Sequence, residues 1–319
     1  MPETAVSVVI PLYNKEKSIE RCLNSIISQT FADFEIIIVN DGSSDKSVEI
    51  VAGFSDPRLT LIHQENKGPG AARNRGVAAA RSPFIAFIDA DDEWDADHLA
   101  IAVARLTAQQ DAAAHICGYY IGPAKESRED LNRSRGIVPG AAPILAHRDP
   151  VGLKFLVDFM HSSCIVCRRD VVLSYGGYYD AFKCLYGEDS YLWLQILFAE
   201  TVLFDPVPHV WFHTEFSDLG AKNMGRHPTR PALTDPAPLR RAVPAAQQRN
   251  LACLLALYRL IETEKLVRSG DGTLGRIREL RAQFPWPDAP PARIRYREAR
   301  VSAKAAVAPL RHALSHWLR

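Results

Sequence analysis

Residues 84–93, FIAFIDADDE, set four carboxylates, Asp89, Asp91, Asp92 and Glu93, within five positions at the end of an apolar run. Like charges this close repel unless a cation or a proton relieves them. Hard oxygen donors suit Mg²⁺ or Mn²⁺, whose sites usually finish their shell with water and substrate phosphates. On a regular strand Asp89 and Asp91, two apart, would share one face. An EF-hand is excluded, because Trp94 stands where that loop needs Gly and Ala100 where it needs Glu. The alternative is an acidic loop leading into a helix that begins at Asp95, a good N-cap residue. Asp92, Glu93 and Asp95 fit that alternative.

Other segments bring further charge. NKGPGAARNRG, residues 66–76, begins as a GxG, but Arg73 breaks the dinucleotide fingerprint and no GK[ST] follows. Its Lys67, Arg73 and Arg75 still bring cations to a helix start, which favours anions; a glycine-rich turn with solvated basic residues is the reading the letters alone favour. GED, residues 187–189, puts Glu188 and Asp189 ahead of an apolar helix, where acids are favoured in any case. CIVC is not a zinc motif. On a strand Cys164 and Cys167 point to opposite faces, and with Cys184 no fourth cysteine completes a structural site, so these read as buried apolar thiols. His213, beside Trp211 and Phe212, reads from its neighbours as a packed surface residue.

The elements that must carry these residues alternate in the first hundred positions. VSVVIP, FEIIIVND, LTLIHQ and FIAFID are short apolar runs with helical segments between them, and SIERCLNSIISQ places Ile19, Leu23, Ile26 and Ile27 on one face. Runs so uniformly apolar suit a parallel sheet covered on both faces, a doubly wound α/β fold. Such sheets put ligands at the carboxyl ends of their strands. The ends here are PLYN, Asp41 of NDGSSD and DADD. The middle, to about 220, is less regular, with SSCIVCRRDVVLSYGGYY, EDSYLWLQILFAE and VLFDPVPHVWF reading as strand, helix and late strands. Five prolines between 226 and 244 mark a linker, and two long helical patterns follow.

Composition excludes several classes. A chain of 319 residues, 47% hydrophobic and 24% charged, is an ordinary globular composition, and the length suggests two domains or one with an extension. A net charge of +1 gives no global pull toward nucleic acid. Six scattered cysteines are no disulfide framework. The first residues lack a basic n-region, and no stretch approaches the ~20 apolar residues of a membrane span. A reducing, cytoplasmic setting is expected.

The segments VSVVIPLYNKEKSIERCLNSIISQTFADFEIIIVNDGSSDKS, NKGPGAARNRGVAAARSPFIAFIDADDEW and GGYYDAFKCLYGEDSYLWLQI resemble family 2 glycosyltransferases of the GT-A fold, over about residues 5–217. Four separated motifs carry the resemblance, namely the Tyr-Asn turn, the Asn-Asp-Gly-Ser turn, Asp-x-Asp and the late Glu-Asp pair. It implies a GT-A domain whose nucleotide-sugar half is 1–100 and acceptor half 101–225; the linker over 226–244, read from the prolines, and the helical extension over 245–319 lie outside it. It implies that Pro11, Tyr13 and Asp41 hold the nucleotide base, and that Lys15 and Arg73 neutralise ribose and phosphate oxygens. Asp91 would be the main ligand of a Mn²⁺ or Mg²⁺ ion, with Asp89 beside it or near the ribose and His213 as a further ligand. Asp189 would be the base that deprotonates the acceptor hydroxyl and Glu188 its acceptor-orienting neighbour. The segment SDLGAKN would close over the donor, with Lys222 on its phosphates.

The activity so implied is inverting transfer from a UDP- or dTDP-sugar to a hydroxyl of a glycan or lipid-linked acceptor, in bacterial envelope or exopolysaccharide assembly. A sugar nucleotidyltransferase and a non-catalytic nucleotide-sugar-binding protein are the rivals. Beyond the resemblance, basic residues 293, 295, 297, 300, 304, 311 and 319 face a single acid, Glu298. With Val301, Leu310, Leu314 and Trp317 roughly on one side, this is a basic amphipathic helix, suited to an anionic membrane surface or to packing, including dimerisation.

Overall fold

The computed structural model describes residues 4–141, 149–215, 229–269 and 274–317. The apolar runs become strands of one sheet. In chain order these are β1 (Val6–Leu12), β2 (Phe34–Asn40), β3 (Leu59–His63), β4 (Phe84–Phe87), β5 (Glu93–Trp94), β6 (Ala112–Ile121), β7 (Glu126–Ser127), β8 (Gly140–Ala141), β9 (Ile165–Arg168) and β10 (Thr201–Phe212). Their order across the sheet is β3-β2-β1-β4-β9-β6-β10-β5, with β7 on β6 and β8 on β10.

The first four strands are mutually parallel. The chain moves outward from β1 to β3, then returns to place β4 on the other side of β1. That reversal opens a crevice at the carboxyl ends of β1 and β4. Nearly every residue of β1 and β2 is buried because helices cover both faces. On one of them, Ile19–Ile27, the residues Ile19, Cys22, Leu23 and Ile26 are buried. The helix Pro69–Ala79 lies flush on β1. A Cβ at Gly76 would sit 2.3 Å from Val9 Cγ1, so only glycine permits that approach.

The second half is mixed. β9 runs antiparallel to both β4 and β6, while β10 is parallel to β6 with register shifts around Pro206 and Pro208. Proline cannot donate to a ladder, and a bulge accommodates it. β5, too short to announce itself in sequence, pairs antiparallel with β10. Two expectations are corrected at this point. β4 stops at Phe87, so Asp89 and Asp91 lie in a turn and not on a strand. The helix after the acids spans His98–Ala108 with Asp97 at its N-cap position, whereas Asp95 bonds Lys125.

The proline-rich stretch is no free linker over its described part, 229–244. Pro231 and Pro236 each begin a short helix, Pro231–Thr234 and Pro236–Ala242. Proline suits that first position because its missing N–H has no intrahelical partner there. Leu233, Leu239 and Val243 are buried in the main core. Helix Gln248–Ser269 continues this packing through Leu251, Leu254, Leu255 and Tyr258. Its far end joins Leu274–Gln283 and Ala292–Trp317 around a small separate core of Leu260, Ile277, Ile294, Val301 and Ala305. No helix among the described residues is long and apolar enough to cross a membrane.

Candidate active site

Three turns brace one another at the carboxyl edge of β1 and β2. Asn14, at φ +50°, donates its N–H to Ser43 Oγ (3.1 Å), and its Oδ1 accepts from Ser44 N (2.8 Å). Asn40 Oδ1 accepts from Ser43 N (2.9 Å). The frame leaves Pro11 partly buried and the Tyr13 ring 45% exposed at the mouth of the crevice. Asp41 is buried, and its carboxylate holds the glycine turn. Its Oδ1 accepts from Gln64 Nε2 and Lys67 N, and its Oδ2 from Gly68 N, each at 2.8 Å. Three of its roughly four acceptor positions are therefore used within the protein.

The acidic turn lies beside it. Asp92 N donates to Asp89 O (2.9 Å), closing residues 89–92. Lys15 Nζ contacts Asp91 Oδ2 at 2.9 Å. Arg73, only 4% exposed, donates through Nη2 to Asp89 Oδ1 (2.6 Å) and through Nη1 to Glu188 Oε1 (3.0 Å). Its guanidinium lies 4.9 Å from the centroid of the Tyr178 ring. Burial would lower this guanidinium, but Asp89, Tyr178 and Glu188 more than offset it and hold it well above its ordinary value. One arginine thus ties the acid turn after β4 to the acid pair one hundred residues later. Gly70 keeps its helix tight against that later segment, since a Cβ there would sit 2.6 Å from Tyr179 O.

Burial pushes the Asp91 carboxyl up, Lys15 pulls it back, and Asp89 adds to the rise. Burial, Asp91 and Asp89 push Asp92 well up. Asp92 was expected to belong to a solvated loop, and that expectation is corrected. It is 1% exposed and accepts from Ser163 Oγ (2.5 Å), while Ser163 Oγ in turn accepts from Asp89 N (3.0 Å). Glu93 is likewise engaged, 2.7 Å from Arg21 Nε and 2.7 Å from His213 Nε2.

His213 is buried with both ring nitrogens on carboxylates, Nε2 on Glu93 and Nδ1 on Glu215 at 2.9 Å, and its ring lies against Trp211. The structure brings its backbone N to 3.4 Å from Asp92 Oδ1 but does not turn its ring to Asp91. Among the described residues no three His, Cys, Asp or Glu side chains converge as a ready metal cage. The donor set still fits a hard cation, because Mg²⁺-type sites take one or two carboxylates and complete their shell with phosphate and water. Asp89 and Asp91 supply that number, and Asp91 is a largely buried carboxylate whose charge burial disfavours, so a cation there would stabilise it.

Glu188 and Asp189 open the helix Glu188–Ala199 behind Gly187, at φ +80°. Burial first, then Asp189, push the Glu188 carboxyl up to about 7 against the pull of Arg73. Asp189 is partly exposed, and its Oδ1 accepts from Ser190 N (2.6 Å), a helix-start bond. Capping therefore accounts for part of Asp189, whereas the Glu188 carboxylate is directed to Arg73. Arg230 covers this corner between the rings of Tyr186 and Tyr258, at 4.6 and 4.9 Å, and donates to Tyr186 OH (2.7 Å) and Ser190 Oγ (3.3 Å). Sequence reasoning missed Ser163, Arg21, Tyr178 and Arg230. Their partners lie tens of residues away, and no local spacing marks them. SDLGAKN with Lys222 lies outside the described residues. Cys164 and Cys167 are buried free thiols, as expected.

A mainly parallel sheet whose acid turn follows its fourth strand, facing an acid pair at a late helix start, is the GT-A glycosyltransferase architecture. Residues 7–176, just over half of the chain, match the sequence profile of Glycosyl transferase family 2, and the chain belongs to that family. It is 46% identical over 121 residues to the putative glycosyltransferase EpsH of Bacillus subtilis, covering 37% of this chain and 35% of EpsH. It is 29% identical over 208 residues to WfgD of Escherichia coli, a UDP-Glc:alpha-D-GlcNAc-diphosphoundecaprenol beta-1,3-glucosyltransferase, covering 62% of this chain and 71% of WfgD. Among solved structures, the mannosyltransferase PcManGT from Pyrobaculum calidifontis, in complex with GDP-Man and Mn²⁺, superposes with a TM-score of 0.57. That match has 19% identity, over 97% of this chain and 86% of PcManGT. The segments shared with the first curated relatives span about a third or less of those proteins' length.

Proposed function

We propose that the chain is an inverting glycosyltransferase that moves a sugar from a nucleoside diphosphate to a hydroxyl acceptor. The observation that carries the reading is the Arg73 bridge, which brings Asp89 and Glu188 into one crevice. Residues 1–100 form the nucleotide side, with Pro11, Tyr13 and the remaining acceptor position of Asp41 around the base. Lys15 meets the phosphates, and Arg73, whose two Nη groups are on Asp89 and Glu188, joins it only by releasing one of those carboxylates. Residues 101–225 form the acceptor side. Glu188, tied to Arg73, orients the acceptor there. Asp189 takes the proton of the attacking hydroxyl as its oxygen bonds the anomeric carbon. The bond from that carbon to the diphosphate breaks on the opposite face, and the diphosphate leaves with the electron pair. A positioned base contributes roughly 10²–10⁴-fold.

A Mn²⁺ or Mg²⁺ ion held by Asp91 and Asp89 would supply Lewis-acid stabilisation of the departing diphosphate. His213 joins that set only by exchanging Glu93 or Glu215. The name of WfgD supports a UDP donor and a lipid-linked diphosphate acceptor in envelope glycan assembly, and a dTDP donor fits the same turns. By the same reading the chain works at the cytoplasmic face of a membrane.

The test is a thermal-shift screen of UDP- and dTDP-sugars with and without Mn²⁺, followed by donor turnover. Asp189→Asn is expected to keep nucleotide binding and lose transfer, and Asp91→Ala to lose the metal-dependent part of binding. Full transfer by Asp189→Asn overturns the base assignment. Donor binding without hydrolysis or transfer favours a binding protein, and pyrophosphate release from a nucleoside triphosphate and a sugar phosphate favours a nucleotidyltransferase.

A further inference from the structure

The C-terminal helices hold a second concentration of charge, remote from the sheet edge. A cleft of about 370 Å³ there is lined by Arg259, Arg281, Trp286, Arg295, Glu298 and Ser302, among others. Arg259 is 2% exposed, and its charge is paired with Glu298. Arg281 shares that carboxylate, its Nε 3.9 Å away, and its Nη2 donates to Ser302 Oγ (2.6 Å) and Glu298 O (3.2 Å). Arg295 is exposed on the rim, and its guanidinium has no partner among the described residues. Trp286 Nε1 is buried without an acceptor.

Three guanidiniums therefore face one carboxylate, and the indole N–H beside them has nothing to donate to. Every deficit in the cleft is a deficit of negative charge and acceptor oxygen. Incompletely paired buried cations are costly. Burial pushes the Arg259 guanidinium down, with Glu298 opposing and Arg281 adding to the fall. A phosphate group repairs all of these at once, because its several oxygens accept from planar guanidinium forks two at a time. The neighbouring groove around Arg268, Arg297, Arg300 and Lys304 is less demanding, since Glu264 already pairs with Arg297 and Arg268. Ile294, Val301 and Ala305 are buried in the C-terminal core, so this part of the last helix spends its apolar stripe on packing. Recognition here is of a charged head and not of an acyl chain.

We propose that this cleft is a binding site for a phosphate-bearing ligand, whose oxygens are held by Arg281, Arg295 and the Trp286 N–H above the Arg259–Glu298 pair. Such a group can come from a soluble phosphate compound or from a phospholipid headgroup, and the proposal does not rest on the reading of the active site.

The full chain is titrated with inorganic pyrophosphate by calorimetry in EDTA, and in parallel floated with phosphatidylcholine vesicles with and without phosphatidylglycerol. Arg295→Glu changes an exposed, unpartnered side chain and leaves the fold intact. It is expected to weaken pyrophosphate binding at least about tenfold, the scale of one charge-assisted contact, or to abolish co-flotation with the anionic vesicles. UDP binding at the sheet edge stays unchanged. Loss in the first arm identifies a soluble ligand and loss in the second a headgroup. If Arg295→Glu and Arg281→Ala/Arg295→Ala both behave as the unmodified chain in both arms, the proposal is overturned.

Discussion

Two buried arginines sit in this molecule with opposite accounts of their charge. Arg73 is held by two carboxylates, Asp89 and Glu188, and by the face of Tyr178. Arg259 has one carboxylate, Glu298, which it shares with Arg281. Their environments hold the first well above its ordinary pKa and the second below it. The difference teaches that a buried cation can serve as an internal cross-link or as half of a site awaiting a ligand. The number of carboxylates within reach decides which.

The contrast is broken most sharply by removing each cation in turn. Arg73→Met leaves Asp89 and Glu188 facing each other without a counter-charge, and is expected to cost about 3–5 kcal/mol, the usual price of orphaning a buried partner. Urea melts read this directly. Glu188 sharpens the same side. Its folded carboxyl titrates near 7, above the ordinary 4.5, so the folded state holds that proton more tightly than the unfolded state. Stability is thereby lost as pH rises from about 4.5 to about 7 and is flat above. Glu188→Gln removes that slope, so the melting temperature of the variant gains on the unmodified chain between pH 5 and 7.5. A parallel pair of pH profiles would refute the assignment. Ser163→Ala takes the donor from buried Asp92 and is expected to cost about 1–3 kcal/mol in chemical denaturation. Arg259→Met is the smallest. Glu298 keeps Arg281, an apolar chain replaces a poorly paired cation, and the change stays within about 1 kcal/mol in either direction. A loss as large as that of Arg73→Met would erase the distinction.

What could be read from the chain follows from how local each signal is. The runs ending at Leu12, Asn40, His63 and Phe87 were legible because β-branched residues buried on both faces leave a continuous apolar trace. The crevice followed from the rule for strand ends. Asp92 and Glu93 were misjudged because their burial depends on Ser163 and His213, one donor and one ring more than seventy residues away. The segment after Thr229 was misjudged because proline marks both a linker and a helix's first residue, and only the burial of Leu233 and Leu239 tells them apart. β5 escaped because a strand of two residues carries too few alternations to read. Arg73 was placed near phosphates by resemblance, but its bridge to Glu188 is a tertiary fact with no sequence spacing to betray it.

The Arg73–Glu188 bond spans 115 residues of chain. At the usual 5–20 residues per second of synthesis, the arginine emerges roughly 6–23 s before its acidic partner. The first four strands must therefore wait with an incompletely paired cation, and translation of the segment carrying Glu188 is the step that lets this half of the protein settle.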